Sequence, residues 1–333
     1  VFVPSREINI HAFLYQTTMP PAFVVADPKL LAPFQVQNYP AFWQKYIDVF
    51  SLSLEQTVYF NSTFWTHALP IGAVTLYVIM LLFLPKLVIM IKGEQKEEKK
   101  RAKGSKAKVV SFFKLSFFDK VRFLWNLHLT IMSVFFFIGI LVPMATTFLP
   151  KMGLKGVICD PDYIMTSIPT TMALWCHLFS IYKYVELFDT FFLIVNKPKR
   201  PILFLHWYHH ITVLVFGWYG PYYQISMGYM FALVNAFVHC VMYFYYALVI
   251  LGYRPSWGKK ITVIQISQMV IGLALTGSWV YFRQNGDNCS CTKPFEVISY
   301  AGIMYFTYFL LFVKFFINRW IRGSKKSKKD KKE

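Results

Sequence analysis

Phe204-Leu205-His206-Trp207-Tyr208-His209-His210 is the stretch on which the reading of this sequence turns. It lies in an apolar run long enough to sit in a bilayer. On an α-helix, positions i, i+3 and i+4 share a face, so His206, His209 and His210 form one imidazole patch. Polar side chains at membrane depth are costly and usually face an interior cavity. A lone histidine there reads as a satisfied core residue, whereas three on one face need a chemical reason.

Outward from this box, apolar runs occupy 67–91, 123–148, 164–195, 203–219, 227–251, 261–282 and 297–320. Each approximates the ~20 residues that a bilayer demands. The pattern predicts an all-α polytopic membrane protein with seven transmembrane helices. A composition 56% hydrophobic and 19% aromatic, with mean hydropathy +0.42, is too apolar for a soluble domain of this size. The formal charge of +19 collects in loops and the tail, not on one face, so no nucleic-acid partner is expected. No basic start followed by a short apolar core is present, so no cleavable signal peptide is expected. Nor is there a repeat.

Three regions follow. Residues 1–66, with Pro, Trp and Tyr among scattered charge, read as a lumenal segment lying at the membrane surface. Residues 67–320 read as the seven-helix transmembrane domain, interrupted by a basic insert at 92–122. Residues 321–333 are a basic tail. Alternate loops hold 24 Lys and Arg on one side of the membrane and 7 on the other. The positive-inside rule then sets the N-terminus in the lumen and the C-terminus in the cytosol.

Cys176 and Cys240 fall within spans, where a thiol is an ordinary small apolar group. Cys159, Cys289 and Cys291 fall in the two loops on the oxidising side. A Cys159–Cys289 bridge would tie the loop after span two to the loop after span six, with Cys291 as the competing partner. Asn61-Ser62-Thr63 and Asn288-Cys289-Ser290 match glycosylation sequons on that side. Lys331 and Lys329, third and fifth from the end, match a retrieval signal to the endoplasmic reticulum, against a plain solvated basic tail.

The other spans add polar groups. Span three carries Lys183-x-x-Glu186-x-x-Asp189-Thr190, one stripe whose charges partly neutralise each other. Span five carries Asn235 and His239, then Met242, Tyr243, Tyr245 and Tyr246. Span six carries Gln265 and Gln268. At ~1.5 Å per residue these groups and the box share one slab, from the cytosolic boundary to the midplane. That predicts a polar chamber open to the cytosol, with an apolar, aromatic-rich lumenal half able to hold an alkyl chain.

Two chemistries compete for the imidazoles. Membrane di-iron desaturases and hydroxylases use H-x-x-H-H, but need about eight ligating histidines. This chain has eight in all, and His11, His67 and His177 lie away from the box. Two irons are therefore under-supplied, while a single zinc stays open. The alternative is nucleophilic and acid–base catalysis on a thioester. A non-catalytic polytopic lipid transporter would show inverted repeats and broken helices in both halves, which are not seen.

The order and spacing of these motifs resemble the family of enzymes for elongation of very-long-chain fatty acids, the ELO family. Trp125-Asn126 before them and Tyr305-x-x-Tyr308-x-x-Leu311-Phe312 after them also fit, and the match covers about 121–320. The resemblance implies helices two to seven forming a barrel-like bundle around a substrate tunnel. It implies condensation of long-chain acyl-CoA with malonyl-CoA to 3-ketoacyl-CoA, carbon dioxide and CoA, with no metal and no redox cofactor. His209 maps to the acyl acceptor and His239 to the second imidazole at the reacting carbons. His206 and His210 would orient these and move protons, and Asn235 would donate to the oxyanion. Lys183 would meet the malonyl carboxylate or a CoA phosphate, held by Glu186 and Asp189. Tyr246, Gln265 and Gln268 would line the CoA end. Lys197, Lys199, Arg200, Arg254, Lys259 and Lys260 would stand at the mouth, against a reading as ordinary positive-inside charge. The resemblance further implies an endoplasmic reticulum membrane and the reductases and dehydratase of the cycle as partners; it leaves a homodimer open. Members acting on polyunsaturated chains often carry Gln five places before the first histidine. Pro201 stands there, and Ile211-Thr212-Val213-Leu214 follows the box, which leans toward saturated and monounsaturated chains.

Overall fold

The computed structural model describes residues 63–92, 109, 111–159, 170–223, 225–253 and 255–322. Asn61, Arg254, Lys329 and Lys331, with 1–62 and, within the basic insert, 93–108 and 110, lie outside the described residues. The chain divides into units 1–72 and 73–333. Of the first, only the opening of α1 (Thr63–Lys92) is described.

The second unit continues α1 and adds α2 (Phe117–Pro143), α3 (Leu149–Ile158), α4 (Thr170–Val185), α5 (Phe188–Asn196), α6 (Phe204–Tyr222), α7 (Gly228–Ile250), α8 (Gly258–Gln284) and α9 (Pro294–Phe316). No strand occurs among the described residues. At the start of α2, Ser116 accepts from the Asp119 backbone N–H at 3.1 Å, and Asp119 pairs with Arg122 at 2.9 Å. The hydroxyl satisfies an orphan amide and the carboxylate favours the positive end of the helix dipole.

Two expectations change. The stretch 149–163, read as a loop, is helical as far as Ile158. After Pro143 the chain widens into one π turn, Met144–Phe148, and continues as α3. A proline at the first turn of α3 costs no hydrogen bond there, which permits the helix to resume. Span three, read as one long helix, is two. Glu186 still bonds back to Tyr182 (2.9 Å), but Asp189 N–H reaches Glu186 O (3.0 Å) and Thr190 N–H reaches Leu187 O (3.2 Å). The change from four-residue to three-residue spacing is a local tightening of the helix, placed where its polar stripe turns inward.

Five stretches are long and apolar enough to cross a membrane: His67–Ile91, Phe117–Ile158, Gly228–Ile250, Gly258–Gln284 and Pro294–Arg322. The two remaining sequence spans are α4 with α5, which is broken, and α6, whose apolar character is diluted by the histidine box. With them the seven helices expected are accounted for. Packing closes a ring in the order α2, α4, α6, α9, α8, α7 and back to α2. Spans two to seven therefore surround a common interior. Close approach is needed in two places. A Cβ on Gly139 would overlap the Trp175 indole, and one on Gly272 would overlap the Tyr305 ring.

One end of the ring is stitched together. Cys159, at the end of α3, is disulfide-bonded to Cys289 in the α8–α9 loop, leaving Cys291 free. Ser226 donates to Ile158 O (2.9 Å) and accepts from the Trp279 indole (3.0 Å), and Tyr229 donates to Val157 O (2.6 Å). These bonds satisfy the last carbonyls of α3, which would otherwise be buried without partners.

Candidate active site

Lys183 is 1% exposed. Its amine donates to Glu186 Oε1 at 2.7 Å and to Asn235 Oδ1 at 3.0 Å, and it sits over the Phe179 ring at 4.1 Å. Glu186 Oε1 is also 3.3 Å from His239 Nδ1. A carboxylate only accepts, so His239 carries its proton on Nδ1 and its Nε2 lone pair is free. An amine needs an acceptor, so Asn235 turns its carbonyl to Lys183 and its NH2 is left to donate elsewhere. One carboxylate thereby orients an amine, an amide and an imidazole from two helices.

Asp189 does not join that cluster. It accepts from the Trp125 indole and from the Tyr243 hydroxyl, each at 2.7 Å, and ties α2, α5 and α7 together. Of the sequence's two candidate holders for Lys183, the contact falls to Glu186 alone, because the tightened turn after Val185 directs Asp189 toward Trp125.

The box lies on α6. His206 and His210 have ring centroids 4.5 Å apart, and His209 and His210 5.6 Å. His210 is buried, with its Nδ1 unpartnered. The Tyr308 ring lies 5.1 Å from that of His209, and its hydroxyl donates to His209 O at 3.2 Å.

A cavity of about 700 Å³, its mouth included, opens inside the ring. Its polar wall is Ser180, Lys183, His209, Asn235, Gln268 and Tyr308. Along α6 the wall continues through Val213, Phe216, Gly217 and Gly220, one face of the helix about 16 Å long by the helical rise. Ile225 and Tyr229 complete it toward the disulfide-stitched end. A polar head region and an apolar extension are thus one space.

The cavity gathers Lys183, His209, Asn235 and Gln268. It does not take in His206, His210, His239, Glu186, Asp189, Gln265 or Tyr246 as wall residues. Glu186 acts on it through Lys183 and, by way of that amine, Asn235, and it also holds His239. Gln265 faces Met242 Sδ at 3.4 Å, and Tyr246 is 44% exposed, so the expected lining by these two does not form. Of the two glutamines, three residues apart on α8, only Gln268 is on the cavity wall. Lys197, Lys199, Arg200, Lys259 and Lys260 are exposed at helix ends and outside the cavity, with Lys259 over the Phe316 ring. Among the described residues no group of three His, Cys, Asp or Glu is arranged to hold a metal ion.

Sequence reading had left out Ser180, Tyr308 as a partner of His209, and Tyr77. The i, i+3 pair Tyr305 and Tyr308 was a usable signal for the second. Ser180 had the helical spacing to Lys183, which alone says little. Tyr77 stands isolated in an apolar run, and no spacing marks it.

A ring of helices around a buried cavity furnished with imidazole, amine and amide defines a polytopic membrane enzyme. The ELO family, described as the GNS1/SUR4 family, matches residues 60–328, and the chain belongs to it. It is similar to very long chain fatty acid elongase 6 of Rattus norvegicus, 37% identical over 208 residues that cover 62% of this chain and 75% of the relative. Very long chain fatty acid elongase 3 of Homo sapiens is 36% identical over 207 residues, covering 62% and 73%. Fatty acid elongase 2 of Trypanosoma brucei brucei is 33% identical over 219 residues, covering 63% and 79%.

Proposed function

We infer that this chain is a fatty acid elongase, condensing a long-chain acyl-CoA with malonyl-CoA to 3-ketoacyl-CoA, carbon dioxide and CoA. The observation that carries the reading is the single cavity in which His209, Lys183 and Asn235 open onto an apolar extension along α6. The acyl chain lies in that extension, with its thioester at His209. The His209 imidazole attacks the thioester carbonyl, CoA thiolate leaves, and an acyl-imidazole forms. His239, oriented through Nδ1 by Glu186, offers its Nε2 to take up and return protons. Lys183 uses two of its donors on Glu186 and Asn235, and the third is free for the malonyl carboxylate. Loss of carbon dioxide leaves a carbanion equivalent at malonyl C2, which attacks the acyl carbon and releases His209. The Asn235 NH2 donates to the developing oxyanion.

The protein works in the endoplasmic reticulum membrane with its N-terminus lumenal and its C-terminus cytosolic. The exposed Lys197, Lys199, Arg200, Lys259 and Lys260 attract CoA phosphates to the cytosolic mouth. The reaction draws on no metal or redox cofactor; its product passes to a reductase, a dehydratase and a second reductase. Its preferred chains are saturated and monounsaturated, in keeping with Pro201 before the box.

The test supplies purified protein with palmitoyl-CoA and malonyl-CoA labelled in its free carboxyl, without NADPH or added metal. Labelled carbon dioxide and 3-ketoacyl-CoA are expected together. Carbon dioxide without the ketoacyl product, or neither, overturns the reading.

A further inference from the structure

Behind the box, α1 contributes a side chain that the reaction scheme above does not use. The Tyr77 hydroxyl lies 2.8 Å from Thr190 Oγ1, and the same Oγ1 lies 2.8 Å from His206 Nε2. Tyr77 is 2% exposed and Thr190 fully buried. The Tyr77 ring also packs against His210, with centroids 6.2 Å apart.

Each hydroxyl in this chain has one proton to give. If His206 Nε2–H donated to Thr190, Thr190 would donate to Tyr77, and the phenolic proton would need a further acceptor. Among the described residues the Tyr77 hydroxyl has Thr190 as its hydrogen-bond partner and no other. A buried donor without an acceptor is costly. The opposite polarity satisfies both hydroxyls and the imidazole Nε2: Tyr77 donates to Thr190, and Thr190 donates to His206 Nε2. His206 then carries its proton on Nδ1, and its Nε2 lone pair is occupied.

We propose that Tyr77 of the first helix is a positioning residue for the histidine box: through Thr190 it locks His206 as the Nδ1–H tautomer. The proposal rests on the elongase reading and deepens it, because it divides labour within the box. His206 cannot attack through an Nε2 already engaged, which leaves the nucleophile's part to His209, the box imidazole on the cavity wall. It also gives α1, which stands outside the six-helix ring, a chemical task at the site.

The test has two arms. In the first, 15N solid-state NMR of histidine-labelled protein in bilayers, with His206 assigned by its loss in His206→Gln, reads the tautomer directly. A protonated Nδ1 and unprotonated Nε2 are expected in the unaltered protein, with a mixture in Tyr77→Phe. A protonated Nε2 in the unaltered protein overturns the proposal. In the second, Tyr77→Phe and Thr190→Val are each expected to lower kcat about tenfold at unchanged KM for both CoA substrates, the loss of one buried hydrogen bond. Thr190→Ser, which keeps the hydroxyl, is expected to stay near full activity. The double variant should be no slower than Thr190→Val alone, since both changes cut one chain. Effects that multiply, or a change confined to KM, overturn the proposal. Failure of the unaltered protein to condense would sink the elongase reading instead, and the tautomer measurement would still decide the role of Tyr77.

Discussion

Glu186 holds three partners at once, directly or through one bond: Lys183, His239 and, by way of Lys183, Asn235. Removing it strands an amine that is almost wholly buried. Glu186→Ala is expected to cost about 3–5 kcal/mol of stability, read as a lower thermal midpoint in detergent, together with loss of activity. Glu186→Ala with Lys183→Met should recover much of the stability and none of the activity, which separates folding from chemistry. Cys291 gives a pH-dependent readout outside the membrane spans. Burial pushes its thiol up to about 11. The thiol is therefore neutral at pH 7.5, and its thiolate fraction grows as pH rises toward that value. Alkylation of the folded protein should be slow at pH 7.5 and accelerate toward pH 10; fast labelling of Cys291 at neutral pH would contradict it. Much of this was legible in the sequence, because a polar residue in an apolar helix announces itself. Lys183, Glu186, Asn235, His209 and Gln268 were all visible that way. Tyr77 was not, since an aromatic in an apolar run looks like any other until its hydroxyl finds Thr190.

Among the elements, the α8–α9 contact depends on Gly272, whose missing Cβ makes room for Tyr305. Tyr305 is itself part of the cavity wall. Gly272→Ala is expected to push that ring aside and destabilise the protein by about 1–3 kcal/mol through overpacking, measurable as a lower thermal midpoint. An unchanged midpoint and unchanged activity would show that the two helices are not as tightly opposed as described. The helices themselves were readable from hydropathy, within a few residues at each end. The break between α4 and α5 was not. Hydropathy averages over a window, whereas the break is a change from four-residue to three-residue hydrogen bonding across two residues. The extension of α2 into α3 was missed for a related reason. Pro150 and Gly153 read as loop residues, yet past Pro143 the chain runs through a π turn and continues as a kinked helix, with Gly153 at φ 66°.

Taken whole, the six-helix ring is closed at one end by the Cys159–Cys289 bond, which joins positions 130 residues apart. The sequence left Cys289 and Cys291 as rival partners; the structure pairs Cys289 and buries Cys291 partly beside it. Cys289→Ser is expected to lower stability by about 3 kcal/mol, through the freedom returned to the unfolded chain. A chain with the same midpoint with and without reductant would contradict that. The ring is also what converts scattered polar residues into a site. Five helices contribute Lys183, His209, Asn235, Gln268 and Tyr308 to one wall, one residue from each.

The central claim is that His209 takes the acyl group inside this cavity. Intact mass spectrometry of protein incubated with palmitoyl-CoA, with malonyl-CoA withheld, tests it most directly. One palmitoyl group per chain is predicted, on the peptide containing His209, released when malonyl-CoA is added and absent from His209→Ala. An unmodified chain, or an adduct that persists in His209→Ala, would contradict the account.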